Sequence, residues 1–368
     1  MIRVAIVGAG IGAEHLAGYR ALPGRFAVTT LCDLDTDRAR KATAGDPAIA
    51  VTGDLDAVLA DPDVDLVDVC LPPHLHFPVS TKVLAARKHV ICEKPIVRSL
   101  SEADQLAAAA TAADRQVFPV FQYRYGRSVA QLEALIAAGL AGKAYAASLE
   151  THWNRDAAYY SVPWRGTWKG ESGGALLGHA IHAHDLLSHI MGPVAEVAAF
   201  ADTRVNAIET EDCAALALRM ASGALATSSV TLGAGNDTTR LRFCFEGFTA
   251  ESGAAPYAPA QDRWHFIARG VGQDQIDAVL AATPDSHAGF AGYLDAVADA
   301  IKGSDPRRAV TLAEGRRSIE LVSAIYASIR RATPVALPLE PDDEIYKGWL
   351  SAQSGGSQQI KSGNKGGT

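Results

Sequence analysis

Apolar residues fall in short, nearly unbroken runs along the first third of the chain, and helical periodicity separates the runs. The runs are IRVAIV (2–7), AVTTLC (27–32), LVDVCL (66–71), HVICE (89–93) and VFPVFQ (117–122). Helical patterns lie near 11–21, 36–43, 54–60, 77–87 and 101–114. Continuous apolar runs belong to strands buried on both faces, and strand–helix alternation specifies a doubly wound parallel sheet. The pattern changes after Tyr125. A helix is expected near 128–138. Between 194 and 250 the segments VAEVAAFADTRV, CAALALRM, GALATSSVTL and RLRFCFEG alternate apolar with polar residues. That period fits an antiparallel sheet with one covered face. Two more helices are expected at 286–302 and 312–331. The tail is rich in Gly, Ser and Gln and has no periodicity, so it is expected to be disordered.

The first run ends in a glycine loop, IRVAIVGAGIGAEH, with Gly8, Gly10 and Ala13 in GxGxxA spacing around Ile11 and Gly12. In this spacing the first small residue permits a tight turn and the second lets the backbone approach a pyrophosphate. The third packs helix against strand. The motif follows a strand and opens a helix, which is the context that gives it meaning. Asp33, at the end of the second run, is placed to accept hydrogen bonds from the adenosine ribose. This favours NAD, with NADP left possible by the nearby Arg38. The fold class expected is therefore an α/β Rossmann-type sheet over 1–125. A C-terminal α+β domain with an open, largely antiparallel sheet follows over 126–346, and the tail over 347–368.

Composition narrows the function. The 368 residues carry a net charge of −7, the wrong sign for a nucleic-acid surface, and no Lys/Arg block supplies one locally. The five cysteines are scattered without a CxxC pair, so neither a zinc site nor a disulfide framework is expected. No targeting segment and no membrane span is visible, and the expectation is a cytoplasmic protein without a membrane partner.

Glu93, Lys94 and Pro95 lie just past the run at 89–93, at the carboxyl edge of the parallel sheet where ligands bind in such folds. A lysine there can donate to a substrate oxygen. Together, VAIVGAGIGAEH, CDLD, VCLPPHLH, CEKPI and GGALLGHAIHAHDLL resemble the glucose–fructose oxidoreductase / inositol dehydrogenase / MocA family. AEGRRSIELVSAIYASIRRATPVALP (313–338) is similar to that family's closing helix and strand. The resemblance covers nearly the whole chain apart from the tail. It implies nicotinamide-dependent oxidation or reduction of a sugar, polyol or inositol hydroxyl, with Lys94 as catalytic lysine. It also implies a homodimer or homotetramer formed through the C-terminal sheet. Leu71, Pro72, Pro73 and His76 become cofactor contacts beside the nicotinamide. Two alternatives stay open: a glycosidase that oxidises its substrate transiently with bound NAD, and a non-catalytic dinucleotide-binding regulator.

Four of eleven histidines, His179, His182, His184 and His189, crowd into GGALLGHAIHAHDLLSHIMG (173–192). The family pattern puts an aspartate four residues before its histidine. His182 and Asp185 match, but Gly178 stands where that aspartate would be. His182 is the expected general acid/base, because imidazole titrates near operating pH. His179 is the expected substitute for the aspartate. His184 should point elsewhere. A metal held by His179, His182 and Asp185 is the competing reading; no metal is expected. The loop before it holds Trp153, Arg155, Tyr159, Trp164 and Arg165, aromatic and cationic groups suited to a sugar. Gln122, Tyr123 and Arg124 lie at the ligand edge of the sheet, Gln122 toward the cofactor and the other two toward substrate.

Overall fold

The computed structural model describes residues 1–305 and 308–350. The tail expected to be disordered lies, for 351–368, outside the described residues. The chain begins with β1 (Ile2–Val7), α1 (Gly12–Arg20), β2 (Phe26–Cys32), α2 (Thr36–Thr43), β3 (Ala50–Thr52) and α3 (Leu55–Ala60). β4 (Leu66–Val69), α4 (Pro73–Ala85), β5 (His89–Cys92), α5 (Leu100–Ala113) and β6 (Val117–Pro119) follow. The six strands are parallel in the order β3-β2-β1-β4-β5-β6, and helices cover them as the apolar runs require. This order places a crevice between β1 and β4, at the carboxyl ends where the winding reverses. β3 escaped the sequence pattern because it is an edge strand of three residues, none of them buried.

The second half contains α6 (Arg127–Ala137), β7 (Ala144–Asn154), α7 (Trp168–Glu171) and α8 (Ile181–Met191). β8 (Val194–Asp202), β9 (Cys213–Met220), β10 (Leu225–Thr231), β11 (Gly233–Phe245), β12 (Phe248–Glu251) and β13 (His265–Ala268) come next. The described chain closes with α9 (Gln273–Ala282), α10 (Gly289–Lys302), α11 (Leu312–Arg331) and β14 (Val335–Ala336). Eight strands form a mixed, mostly antiparallel sheet in the order β13-β12-β11-β7-β10-β9-β8-β14, with β7 and β10 parallel. Alternation decides its faces. Leu216, Leu218, Ala226 and Val230 are buried on the sheet that α8 meets at β7 and α11 at β8, whereas Ala215, Ala217, Thr227 and Ser229 face outward.

Two helices reach back to the first sheet. α10 packs on α1, and α11 packs on α5 and β6. α11 starts at Thr311, whose hydroxyl accepts from Glu314 N while the Glu314 carboxylate accepts from Thr311 N, a reciprocal cap. Glu314 has a second duty. Arg124, on the short 3-10 turn Gln122–Arg124 after β6, donates to Glu314 Oε1 (2.5 Å) and forks onto Asp185 of α8 (2.6 and 2.8 Å). This corrects the expectation of Arg124 as a substrate contact: its guanidinium is buried and spent between two helices. Asp185, by the same bonds, is not free to orient an imidazole.

A charge removed from a buried cluster leaves its partners desolvated and unpaired. Arg124→Met should therefore lower unfolding free energy by about 3–5 kcal/mol, measured by urea denaturation. A loss below about 1 kcal/mol, the range of exposed pairs, would show that the cluster is solvated in solution.

Candidate active site

The site begins at the glycine turn. Gly8 adopts φ +105°, and a Cβ there would lie 2.2 Å from the Cys70 carbonyl oxygen, so only glycine lets β1 and β4 approach this closely. Gly10 and Ile11 line the cavity, and a side chain at Gly10 would project into open space, the cradle a pyrophosphate needs. Gly12 and Ala13 form the first turn of α1, with Gly12 packed on Ile6. Asp33 accepts from the backbone N–H of Ala9 (2.6 Å) and Asp35 (2.8 Å), and both its oxygens take the Arg38 guanidinium (2.8 and 2.9 Å). Burial pushes its carboxyl up, but these bonds outweigh burial and hold it below the usual carboxylate range. The residues present fit a dinucleotide whose ribose meets an ionised Asp33.

One cavity of about 1190 Å³ runs from Asp33 past Gly10, Leu71, Pro72 and Pro73 to Lys94, Gln122 and His182. Ordinary small-ligand pockets span roughly 300–1,000 Å³, so this one has room for a dinucleotide and a second molecule. Lys94 Nζ donates to the Gly178 carbonyl (2.7 Å). Burial lowers the Lys94 pKa; Glu93 and Glu171 oppose the shift and Arg165 adds to it. Gln122 Oε1 is buried without a partner, an acceptor left for a ligand. His76 stands differently from expectation. It is fully buried, with its ring nitrogens 2.6 Å from the carbonyl oxygens of Pro95 and Leu71. It ties the two loops together from behind, and the Leu71–Pro73 segment meets the cavity instead.

The histidine segment enters as a π-helical turn, Leu176–Ala180, that runs straight into α8. π turns widen the helix locally and recur at functional sites. Glu211 fixes its start: its carboxylate accepts from Gly174 N (3.0 Å), Leu176 N (3.1 Å) and the Tyr326 hydroxyl (3.0 Å). Burial raises the Glu211 pKa to about 7 against these bonds. His182 lines the cavity, stacked on the Tyr123 ring at 4.5 Å, and its Nδ1 has no partner. Burial first, then the Lys94 charge, pushes its pKa down to about 3, opposed by Glu93. His184 points away, as expected, toward Ser228 Oγ (2.9 Å) on the sheet. A side chain at Gly178 would meet nothing within 4 Å, so the glycine is not demanded by crowding.

Three expected substrate contacts are differently placed. His179 is buried edge-on against Trp153 and tilted against Tyr159, one layer behind the cavity lining. Burial, and then Lys94, holds it neutral, with its pKa well below the usual value. Arg155 also stands behind: it stacks on Trp153, Tyr159 and Tyr257 and pairs with Asp237 (3.0 Å). Tyr123 presents its ring, but its hydroxyl is spent on the Pro256 carbonyl (2.9 Å). Trp153, Tyr159, Trp164 and Arg165 do line the cavity.

Sequence reasoning passed over several groups here. Glu171 and Tyr257 line the cavity; Glu171 stands two residues before the double glycine, whereas Tyr257 sits in a loop without a signature. His15 follows the glycine motif by two residues and was not singled out. It is fully buried between Asp68 Oδ2 (2.8 Å) and Glu93 Oε1 (3.1 Å). Burial disfavours its charge, but Asp68 and Cys70 reverse the shift and raise its pKa. Glu93 answers: burial raises its carboxyl, and His15 and Lys94 bring it down to about 2. Its other oxygen accepts from Lys94 N (3.0 Å). His15, Asp68 and Cys70 have the donor types of a metal site, but their nitrogen and oxygen atoms already hydrogen-bond one another. Of the ligand set His179, His182 and Asp185, Asp185 is committed to Arg124.

Comparison with known proteins agrees with this geometry. The chain matches the model of an oxidoreductase family with an NAD-binding Rossmann fold over residues 2–121. It matches the GFO/IDH/MocA C-terminal domain over 129–250. The myo-inositol 2-dehydrogenase of Thermotoga maritima is 29% identical over 230 residues, 61% of this chain and 66% of that one. A glycosyl hydrolase family 109 protein of Streptomyces filamentosus is 31% identical over 209 residues, 53% of this chain and 40% of that one. The WlbA dehydrogenase of Bordetella pertussis, solved with NADH and UDP-GlcNAcA, has a similar fold. Its TM-score is 0.81 at 27% identity, covering 92% of this chain and 99% of that one. With both halves matched in order around this cavity, the chain belongs to the GFO/IDH/MocA family of NAD-binding oxidoreductases.

Proposed function

We propose that the protein is an NAD-dependent dehydrogenase or reductase acting on a hydroxyl, or the corresponding ketone, of a sugar, polyol or inositol. The observation that carries this reading is the pairing of Lys94 with a neutral, unpartnered His182 on one cavity that continues to the glycine turn. Similarity to a myo-inositol dehydrogenase and to a sugar-nucleotide dehydrogenase supports the substrate class. Bound nicotinamide supplies the hydride acceptor, or donor in reverse. The chain's own residues do the rest. Lys94 holds the reacting oxygen and stabilises its developing negative charge. His182 takes the hydroxyl proton on its neutral imidazole. Trp153, Tyr159 and Trp164 supply flat faces for the C–H surface of a ring. Similarity to a glycosyl hydrolase family 109 protein favours a second reading, glycoside cleavage without net NADH.

The reading includes association of copies through the outer face of the eight-stranded sheet. Ala215, Ala217, Thr227 and Ser229 leave part of it with short side chains, and Phe200 stands 79% exposed on it. Sedimentation should show a dimer or tetramer, and a Phe200→Asp variant should shift toward monomer; a monomeric wild type would discard this element.

A panel of sugars, polyols and inositols, assayed for NADH formation and for sugar release, separates the readings. Lys94→Ala and His182→Ala should each lose about 10²-fold or more in kcat, the range for a positioned acid/base, with NADH affinity near wild type. His179→Ala should act mainly on KM, through the Trp153–Tyr159 wall. Wild-type turnover by His182→Ala would refute its role.

The pH profile follows from the same groups. His182 must be neutral to accept a proton, and its pKa is lowered from 6.5 to about 3. Oxidation should therefore stay level as pH falls through 6.5 and decline only in stronger acid. Lys94 must be charged, and its pKa is lowered from 10.5, so the alkaline decline should begin below that value. An acid limb at or above 6.5 in kcat/KM would contradict the buried neutral imidazole.

A further inference from the structure

Two guanidinium groups stack on Tyr159. Arg155 Cζ lies 5.2 Å from the ring centroid and Arg165 Cζ 4.0 Å. Their charges are treated differently. Arg155 has a carboxylate, Asp237, at 3.0 Å. Arg165 lines the cavity half-buried, also over Trp164 at 4.9 Å, and its guanidinium has neither an ion pair nor a hydrogen bond among the described residues. Glu171 is the acidic side chain that shares this part of the cavity. It forms no ion pair with Arg165; one of its oxygens accepts from Gly166 N (2.5 Å), and burial pushes its carboxyl up toward the neutral form. The neighbouring imidazoles of His179 and His182 are held neutral, so they offset no charge. The substrate end of the cavity therefore presents a cation whose fork of N–H donors is unused.

We propose that Arg165 docks a carboxylate of the substrate, so that the enzyme's preferred substrate is a sugar acid rather than a neutral sugar or polyol. This rests on the reading of the site as a sugar dehydrogenase. Arginine matches carboxylate geometry with two parallel hydrogen bonds. Stacking on Tyr159 and Trp164 holds the guanidinium in place before binding, which removes much of the entropic cost of ordering a long side chain. With Lys94 held at the Gly178 carbonyl for the reacting oxygen, the arginine beside a glutamate suits a single negative charge better than the double charge of a phosphoryl group.

The test uses full-length, NAD-loaded protein and matched probes. D-Glucuronate, D-gluconate and D-galacturonate are compared with D-glucose, D-galactose and myo-inositol, and with glucose 6-phosphate. Melting temperature and NADH formation are read on the same samples. The acids should half-saturate at concentrations at least about tenfold below their neutral partners, the effect of a hydrogen bond to a charged group. R165Q should abolish that preference while still binding NADH, and R165K should keep part of it. Equal response to acids and neutral sugars, preference for the phosphate, no response to any probe, or an acid preference that survives R165Q would overturn the assignment. Acid-selective binding without NADH formation would uphold Arg165 and remove the dehydrogenase reading. NADH formation from neutral sugars alone would do the reverse.

Discussion

The arrangement depends on Arg124. The catalytic pair comes from two different layers, Lys94 from the edge of the parallel sheet and His182 from a helix that belongs to the other sheet. No strand is shared between the sheets, so backbone hydrogen bonding cannot set the distance between these side chains. The buried guanidinium does, by bonding Asp185 on the histidine helix and Glu314 at the start of α11 from the turn that ends the first sheet. Three charges out of water are costly, and bidentate geometry with a reciprocal helix cap offsets that cost. Asp185 lies three residues after His182, so the anchor is within one helical turn of the group it positions.

Around this anchor the interior sorts protonation states by burial and by contacts between charged groups. Burial alone makes His184 reluctant to charge, and burial with the Lys94 charge does the same to His182. At His15 burial works in the same direction, but Asp68 and Cys70 outweigh it and raise the pKa. One ring is therefore free to receive a proton while the other works as a fixed cation. Through Glu93 that cation reaches the backbone of Lys94, which links the pyrophosphate helix to the lysine by two side chains, His15 and Glu93. Glu211 acts on the other side, giving the π turn hydrogen-bond acceptors at its start.

Much of this was legible in the sequence where the signal is local. Strand–helix alternation, the glycine turn and the helix at 312–331 follow from periodicity and from small residues at fixed offsets. β12 and β13 were hidden because four residues are too few to show a period, and α9 because its polar face dominates. At the site, residues at the end of a run of buried strand, such as Asp33 and Lys94, could be placed from position alone. Arg124 and His76 could not. Both sit at the right edge, but whether a side chain turns into the cavity or into the protein is decided by acceptors distant in sequence, Asp185 for one and Pro95 for the other. Helical spacing also misjudged His179, because a π turn changes the angle between successive side chains. His15 stands two residues past the glycine motif, and only its partners, Asp68 and Glu93, reveal it.

Gly178 bears on how such a site diverges. The backbone there is helical and crowded by nothing within 4 Å of a Cβ. Its carbonyl, rather than a side chain, receives the Lys94 ammonium. A main-chain acceptor is insensitive to side-chain identity, so the lysine keeps its place whichever residue occupies the position. Two of the four glycine codons become aspartate by one base change, and neither the fold nor the lysine stands in the way of the exchange. Lineages can pass between a carboxylate-bearing site and this one in a single step, trying new substrates without first losing the scaffold.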